Sequence, residues 1–276
     1  MILLVSSNKD VASLNIANQI MLYHPFQKVF GEFQNNPVYS AVFNQKTVTL
    51  IRLNEESVNA QNLPEIFPDA ELIVFISRHS SQSGIPTLTV HPPGNFTDAE
   101  FGGLPHTVSV SPAVAMSNAL KMLVFFQQKF ELFDYEVSFE VTHHGPSLNV
   151  PTMFVELGSS MQQWNDSKAV CAVACATLSS IETFESKPVQ NAVIGIGGTH
   201  YNRKFTQMAL NGEVVFGHMI PKYVVADLDV FMLRHCVDRS FEHISEVLLD
   251  WRGIRSEDKS RLMSVLDESG FTYRKI

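Results

Sequence analysis

Residues 71–77, with the sequence ELIVFIS, constrain the fold more than any other segment of the chain. Their apolar side chains do not alternate with polar ones, as they would in a strand with one face in water. A continuous apolar run of this length is typical of a strand that is buried on both faces, and such strands occur in parallel sheets covered by helices. The segment therefore predicts a layered α/β protein.

The rest of the chain repeats this pattern of apolar strands and amphipathic helices. Further strands are predicted at residues 2–6, 135–143, 150–157 and 189–196, and a hairpin at residues 38–53. Helices are predicted at residues 10–22, 112–131 with Ser111 as N-cap, 161–182, 241–251 and 256–269. Strands and helices that alternate at this spacing predict three α/β/α layers around one mixed, mostly parallel sheet. We interpret residues 1–276 as a single domain.

The composition narrows the class of protein. Apolar residues make up 45% of the chain and charged residues 17%, which indicates a folded globular protein. No apolar run approaches the ~20 residues that span a bilayer, and the polar residues from Ser6 onward argue against a signal peptide. Three cysteines without paired spacing indicate a reducing compartment. The net charge of −8 means that any nucleic acid would have to bind at a local basic patch.

Six histidines and two glutamates follow predicted strands or lie beside turn residues. They are His79, His91, His143, His144, His200, His218, Glu140 and Glu156. Imidazoles and carboxylates together can bind Zn²⁺, or they can act as general bases without a metal. The alternative is that several of these histidines only form hydrogen bonds in loops. The alternation in residues 135–142 places His143 and His144 on opposite faces, unless a turn at Gly145 releases them.

A glycine turn, GIGGTHY at residues 195–201, joins a predicted strand to a predicted helix. Such a turn can direct backbone N–H groups at an oxyanion or a phosphate. Tight packing is the alternative reason for these glycines.

Five sequence blocks occur in one order along the chain: SRHSSQSGIPTLTVHPPGN (77–95), EVTHHGP (140–146), FVELGSSMQQW (154–164), GIGGTHY (195–201) and GHMIPKY (217–223). They resemble the D-aminoacyl-tRNA deacylases of the archaeal and plant type, as does a C-terminal block at residues 250–262. The resemblance implies an α/β/α fold of the phosphorylase/hydrolase kind, related to peptidyl-tRNA hydrolases. It also implies hydrolysis of the ester between a D-amino acid and tRNA, dependence on Zn²⁺, a cytoplasmic location and a monomer.

With this resemblance, the candidate residues take expected roles. The expected catalytic residues are His144, His200 and Glu140, with either histidine as the base or a metal ligand. The expected metal ligands are His79, His91, His143 and Glu156. The expected substrate-binding residues are Gly197 and Gly198, through their N–H groups, and Arg78, Arg203, Lys204 and Lys222 for tRNA. A metal-dependent peptidase, a nucleoside phosphorylase-like enzyme and a non-catalytic nucleotide- or metal-binding regulator stay open as alternatives.

Overall fold

The structure is a computed structural model that describes residues 1–276, with every side chain except that of Phe30. The strands are β1 Ile2–Ser7, β2 Gln27–Phe33, β3 Asn36–Phe43, β4 Lys46–Leu53, β5 Leu72–Arg78, β6 Thr87–His91, β7 Gly94–Asn95, β8 Thr107–Val108, β9 Glu136–Phe139, β10 Thr152–Gly158, β11 Ala192–Ile196, β12 Phe216–Ile220, β13 Ile244–Leu249 and β14 Tyr273–Lys275. The helices are α1 Val11–Tyr23, α2 Leu63–Ile66, α3 Ala113–Lys129, α4 Met161–Trp164, α5 Ser167–Glu182, α6 Arg203–Leu210, α7 Val230–Asp238 and α8 Lys259–Ser269. Within the described chain, no helix is both long and apolar enough to cross a membrane.

A large mixed sheet of eight strands, in the order β2-β3-β4-β1-β5-β10-β6-β9, forms the centre of the molecule. Its central strands β4, β1, β5 and β10 are parallel, whereas β2 and β3 form antiparallel pairs at one edge. Because side chains alternate along a strand, each central strand contributes side chains to two apolar cores, one on each face of the sheet. Ile2 and Leu4 pack with α1, α3 and α5, while Leu3 and Val5 pack on the opposite face. The predicted α/β class, the mixed sheet and the flanking helices are confirmed.

The predicted strand at 189–196 lies in a second sheet, so the expectation of one sheet is wrong. β11 pairs in parallel with β12 and β13, and β14 completes this sheet of four strands. Apolar periodicity identifies β11 as buried, but it does not identify the neighbouring strands. The two sheets nevertheless share a core, because Val193 and Phe216 belong to the same apolar cluster as Phe139.

Three element boundaries differ from the predicted ones. Residues 244–249 form the half-buried strand β13 where a helix was predicted, because ISEVLL lies between two parallel neighbours. The predicted helix 161–182 is interrupted before Ser167, where Asp166 caps a new helix through the N–H groups of Lys168 and Ala169. The predicted strand 135–143 ends at Phe139. The hairpin of β3 and β4 is confirmed.

The N-terminus of α3 has a cap that the sequence did not predict. Pro112 occupies the N-cap position in place of the predicted Ser111, and no side chain of its own segment caps the helix. Instead, the buried Glu242 carboxylate accepts hydrogen bonds from the N–H groups of Ala113 (2.8 Å) and Val114 (2.9 Å). Burial raises the pKa of Glu242, and the two N–H groups oppose that shift.

We expect Glu242→Ala to lower the free energy of unfolding by about 2–3 kcal/mol, because two buried N–H groups would lose their acceptor. Urea denaturation of the wild type and the variant measures this difference. The matched control is Glu246→Ala, which removes a carboxylate from a surface pair with Arg274 and should cost less than about 1 kcal/mol. Equal losses in the two variants would contradict the capping role of Glu242.

Candidate active site

The candidate site lies where the two sheets meet. Beyond the end of β9, the N–H group of Glu140 donates to the Val90 carbonyl in the large sheet. The next two N–H groups, of Val141 and Thr142, donate to the carbonyls of His200 and Met219 beside the small sheet. Residues 140–142 therefore join both sheets, and this connection brings distant parts of the sequence together.

A cavity of ≈ 890 Å³ opens at this junction. Its lining includes six of the expected site residues: Arg78, His79, His143, His144, Glu156 and His200. Two further expected residues, His91 and Glu140, are fully buried and contact this lining. His218 is buried apart from them, between Thr142 Oγ1 and the Arg239 carbonyl. Seven of the eight singled-out histidines and glutamates thus converge.

Glu140 is the centre of the polar contacts. Its Oε2 accepts a hydrogen bond from His200 Nε2 (2.8 Å) and lies 3.4 Å from His143 Nε2, while its Oε1 lies 3.1 Å from His79 Nδ1. Burial alone would raise the pKa of this carboxyl, but the contacts with His200 and His79 hold it well below its usual range. Glu140 is therefore a buried carboxylate that orients imidazoles around it.

Glu156 is a second buried carboxylate, on β10. Its Oε1 accepts a hydrogen bond from Ser77 Oγ (2.5 Å), and its Oε2 lies 3.5 Å from His79 Nδ1 and 3.7 Å from His91 Nε2. Burial would lower the pKa of His79, but Glu140 and Glu156 outweigh it and raise that pKa to about 11. His79 is therefore an imidazolium that neutralises part of the buried negative charge.

Three histidines share one orientation that favours metal binding. The Nδ1 atoms of His91, His143 and His144 lie 3.3, 2.8 and 2.7 Å from the carbonyls of Pro92, Val141 and Gly145. A carbonyl only accepts, so each Nδ1 carries the proton and donates it. Each Nε2 is left to bind another group, and this use of the second ring nitrogen is typical of metal ligands. One ring nitrogen from each histidine lies within 4.8 Å of those of the other two.

The surroundings of these nitrogens also favour a cation. His91 Nε2 is buried and has no hydrogen-bond partner among the described residues. Burial lowers the pKa of His144 to about 4 and that of His143 well below its usual value, so both are neutral. At His91 burial also lowers the pKa, but the Glu156 carboxylate outweighs it and raises that pKa, so a cation bound at His91 Nε2 would replace a proton. The His143 Nε2 lone pair then faces the Glu140 carboxylate across 3.4 Å, and two acceptors at that distance are stabilised by a cation near them. The donor set fits a metal ion.

Two other groups of side chains could also hold a metal. One group consists of His79, Glu140 and His200, and the other consists of His91, Glu140 and Glu156. In the first group, His79 already contacts Glu140 through Nδ1 and the Tyr201 hydroxyl (2.5 Å) through Nε2. Both nitrogens of His79 are therefore engaged, which favours the three histidines His91, His143 and His144 as the principal ligands.

The opposite orientation of His143 and His144, which was predicted only for a strand that stays regular to its end, does not occur. Their ring centroids are 4.3 Å apart, and both rings contact His91. The alternation stops because the strand ends at Phe139, and His144 has a left-handed backbone with φ 43°. The expected catalytic and metal sets consequently intermix: His144 lies with two expected metal ligands, and Glu140 and His200 lie with His79.

The glycine turn does not present the expected oxyanion donors. The N–H group of Gly197 donates to the Ile220 carbonyl (2.8 Å), and that of Gly198 donates to the Gly253 carbonyl (3.4 Å). Both groups are therefore used in holding the turn, which corrects the expectation for Gly197 and Gly198. What the turn does present is His200, whose side chain is 34% exposed and lines the cavity.

The four basic residues are divided between two places. Arg78 lines the cavity, but its guanidinium pairs with Glu56 (3.0 Å) and donates to the Lys9 carbonyl. The other three, Arg203, Lys204 and Lys222, line a separate groove of ≈ 480 Å³. In this groove Arg203 pairs with Glu136 (2.9 Å) and Lys204 with Asp250 (3.2 Å).

Several contacting residues were not singled out in the sequence. The Tyr201 hydroxyl contacts His79 Nε2, and Trp164 Nε1 donates to the His79 carbonyl. Asp10 caps α1 and also accepts from the Arg78 N–H group, and its burial raises its pKa to about 6. Tyr201 directly follows His200 in a quoted block, which was a usable signal. Trp164 had the same kind of signal, as the last residue of the block at 154–164, whereas Asp10 had only its place at the start of a predicted helix.

Comparison with known proteins identifies the family. The family model described as D-aminoacyl-tRNA deacylase matches residues 66–274. The chain belongs to this family. Among its deacylase relatives, the D-aminoacyl-tRNA deacylase of Methanocaldococcus jannaschii is 34% identical over 99% of both chains. That of Methanococcus maripaludis is 37% identical over 76% of this chain and 84% of its own. A crystal structure titled as a conserved protein of unknown function is 30% identical, with a TM-score of 0.86 over 100% of this chain and 95% of that one.

Membership of the deacylase family decides between the alternatives. The family model covers His79 directly after β5, His91 at the end of β6 and the histidines after β9, together with the glycine turn. Neither the peptidase, the phosphorylase-like enzyme nor the non-catalytic regulator is favoured.

Proposed function

We propose that this protein hydrolyses the ester bond of D-aminoacyl-tRNA and releases a free D-amino acid and tRNA. The observation that carries the proposal is the His200–Glu140 pair, which faces a cavity beside three convergent histidines in a member of the deacylase family. A buried carboxylate that holds an imidazole at a cavity wall is the arrangement that general-base catalysis requires.

His200 is the proposed general base. Its Nε2–H donates to Glu140, so its Nδ1 carries the lone pair that accepts a proton from water. The water oxygen forms a bond to the ester carbonyl carbon, and the carbon–oxygen bond to the tRNA ribose then breaks. His200 returns the proton to the departing ribose oxygen. Glu140 stabilises the imidazolium that forms between these two transfers.

Zn²⁺ is the proposed metal, held by His91, His143 and His144, with Glu140 and Glu156 beside them. When bound, it would supply a Lewis acid that polarises the ester carbonyl. The protein's own contribution is to fix the three imidazoles through main-chain carbonyls and to keep two carboxylates buried behind them. Imidazole and carboxylate ligands suit zinc better than the hard cations, which take mostly oxygen ligands.

The proposed path for tRNA joins the basic groove to the cavity. Thr199 and Tyr201 line the groove, while His200 between them lines the cavity, so the glycine turn is the ridge that separates the two. Phosphates of the acceptor end would contact Lys222, Lys204 and Arg203 in the groove while the ester reaches His200. With a net charge of −8, binding must depend on these few contacts. The monomeric state and the cytoplasmic location stay predictions.

The proposed function is tested by incubating the purified protein with the same tRNA charged with D-tyrosine or with L-tyrosine, and by following the loss of the ester. We expect the D-ester to be hydrolysed at least about 100-fold faster than the L-ester, because a fixed cavity discriminates mirror-image groups by their unpaired polar contacts. The matched control is the His200→Ala protein, which should hydrolyse neither. Equal rates for the two esters would contradict the proposed preference for the D-amino acid.

A further inference from the structure

An exposed aromatic side chain lies at the rim of the catalytic cavity. Phe101 is 70% exposed, yet it lines the same cavity as His144 and His200. Single exposed apolar residues are common on protein surfaces and need no explanation by themselves. The position of Phe101 does need an explanation, because its backbone is held in place by the turn that carries the histidines of the cavity.

The backbone beside Phe101 is fixed by close packing. The Gly145 N–H group donates to the Phe101 carbonyl (2.9 Å), which ties this loop to the residue after His144. Gly102 and Gly103 follow with φ +71° and +79°, values that favour glycine. A Cβ atom on Gly145 would lie 2.2 Å from the Gly103 nitrogen, so the two strands of backbone touch. Phe101 is therefore an exposed ring on a rigid support.

A second aromatic residue lines the same cavity. Tyr223 is 48% exposed and follows Lys222, which lines the basic groove. The Lys222 N–H group donates to the Gly198 carbonyl (3.0 Å), which fixes this segment against the glycine turn. Lys222 thus presents a charge to the groove, and the next residue, Tyr223, presents an aromatic ring to the cavity.

We propose that Phe101 and Tyr223 bind the terminal adenine of the tRNA by stacking, an inference that rests on the proposed function. The ester carbonyl reacts at His200, and the ribose that carries the ester also carries the adenine. The base must therefore lie one sugar away from the reacting carbon, at the rim of the cavity and towards the groove that binds the phosphates. Aromatic side chains are the groups on which unpaired bases stack.

The test compares Phe101→Ala with the wild type on D-alanyl-tRNA. We expect KM to rise about tenfold or more, with kcat within about twofold, because stacking binds the base and takes no part in the chemistry. Phe101→Trp should retain the wild-type KM, since indole also stacks. The matched control is Phe133→Ala, a 74% exposed phenylalanine that does not line the cavity, and its KM should not change.

Two synthetic substrates identify what the ring contacts. With 3′-O-(D-alanyl)adenosine, Phe101→Ala should lose about as much kcat/KM as with tRNA, whereas with D-alanine methyl ester it should lose none. An equal loss on both esters, or a loss that grows from D-alanine to D-phenylalanine, would show that the ring contacts the amino acid, and would overturn the proposal. If the wild type were active and the KM of Phe101→Ala were unchanged, stacking would be overturned and the proposed function would stand. A wild type without activity on D-aminoacyl-tRNA would refute the proposed function itself.

Discussion

Glu140→Gln is expected to lower kcat for D-aminoacyl-tRNA by about 10³-fold, with KM changed by less than about threefold. The amide has the shape of the carboxylate but not its charge. It cannot stabilise an imidazolium at His200, and its NH₂ group would face a ring N–H of His79 or His200 in place of an acceptor. Single-turnover hydrolysis at saturating protein measures the chemical step directly.

The matched control for Glu140→Gln is Glu213→Gln, the same substitution at an exposed residue in the turn before β12. Its kcat should equal that of the wild type. Because Glu140 is buried among charges, both variants should also be compared by circular dichroism and thermal unfolding. A folded Glu140→Gln protein with wild-type kcat would refute the role of the His200–Glu140 pair.

The sequence predicted which residues meet better than it predicted how they meet. Polar residues within or directly after apolar strands were enough to find His79, His91 and Glu156, and the pairing of β10 with β5 (parallel) and with β6 (antiparallel) brings the three together. The convergence of His143 and His144 depended on the early end of β9 and on one left-handed residue. The alternation of residues 135–142 predicts neither feature, because it continues past the point where strand pairing stops.

The division of roles within the cluster also needed the structure. Whether a histidine presents Nδ1 or Nε2 depends on which carbonyl lies beside the ring, and sequence spacing says nothing about that contact. Sequence spacing also says nothing about the contacts of the glycine turn. There the carbonyls of Ile220 and Gly253 accept hydrogen bonds from the N–H groups of Gly197 and Gly198, which were expected to be free. Both partners come from segments that the chain places beside the turn only through the second sheet.

Removal of the metal is the second change with a large expected effect. Dialysis against a chelator should lower activity by at least about 100-fold, and added Zn²⁺ should restore it. Thermal unfolding gives a readout that does not depend on activity. A ligand present at 100 times its dissociation constant stabilises the folded state by about 2.7 kcal/mol. For a chain of this size, that corresponds to a rise in Tm of about 5 °C when Zn²⁺ is added to the metal-free protein.

Two histidine variants separate the metal ligands from the general base. His144→Ala removes one of the three convergent nitrogens, so this variant should lose most of the Zn²⁺-dependent rise in Tm together with its activity. His200→Ala should lose activity to a similar extent, but keep the full rise in Tm, because its Nε2 is already bonded to Glu140. Stoichiometric zinc analysis of both purified proteins provides an independent check. If His200→Ala lost the zinc and His144→Ala retained it, the metal would lie at His79, Glu140 and His200, and His144 would be the candidate base.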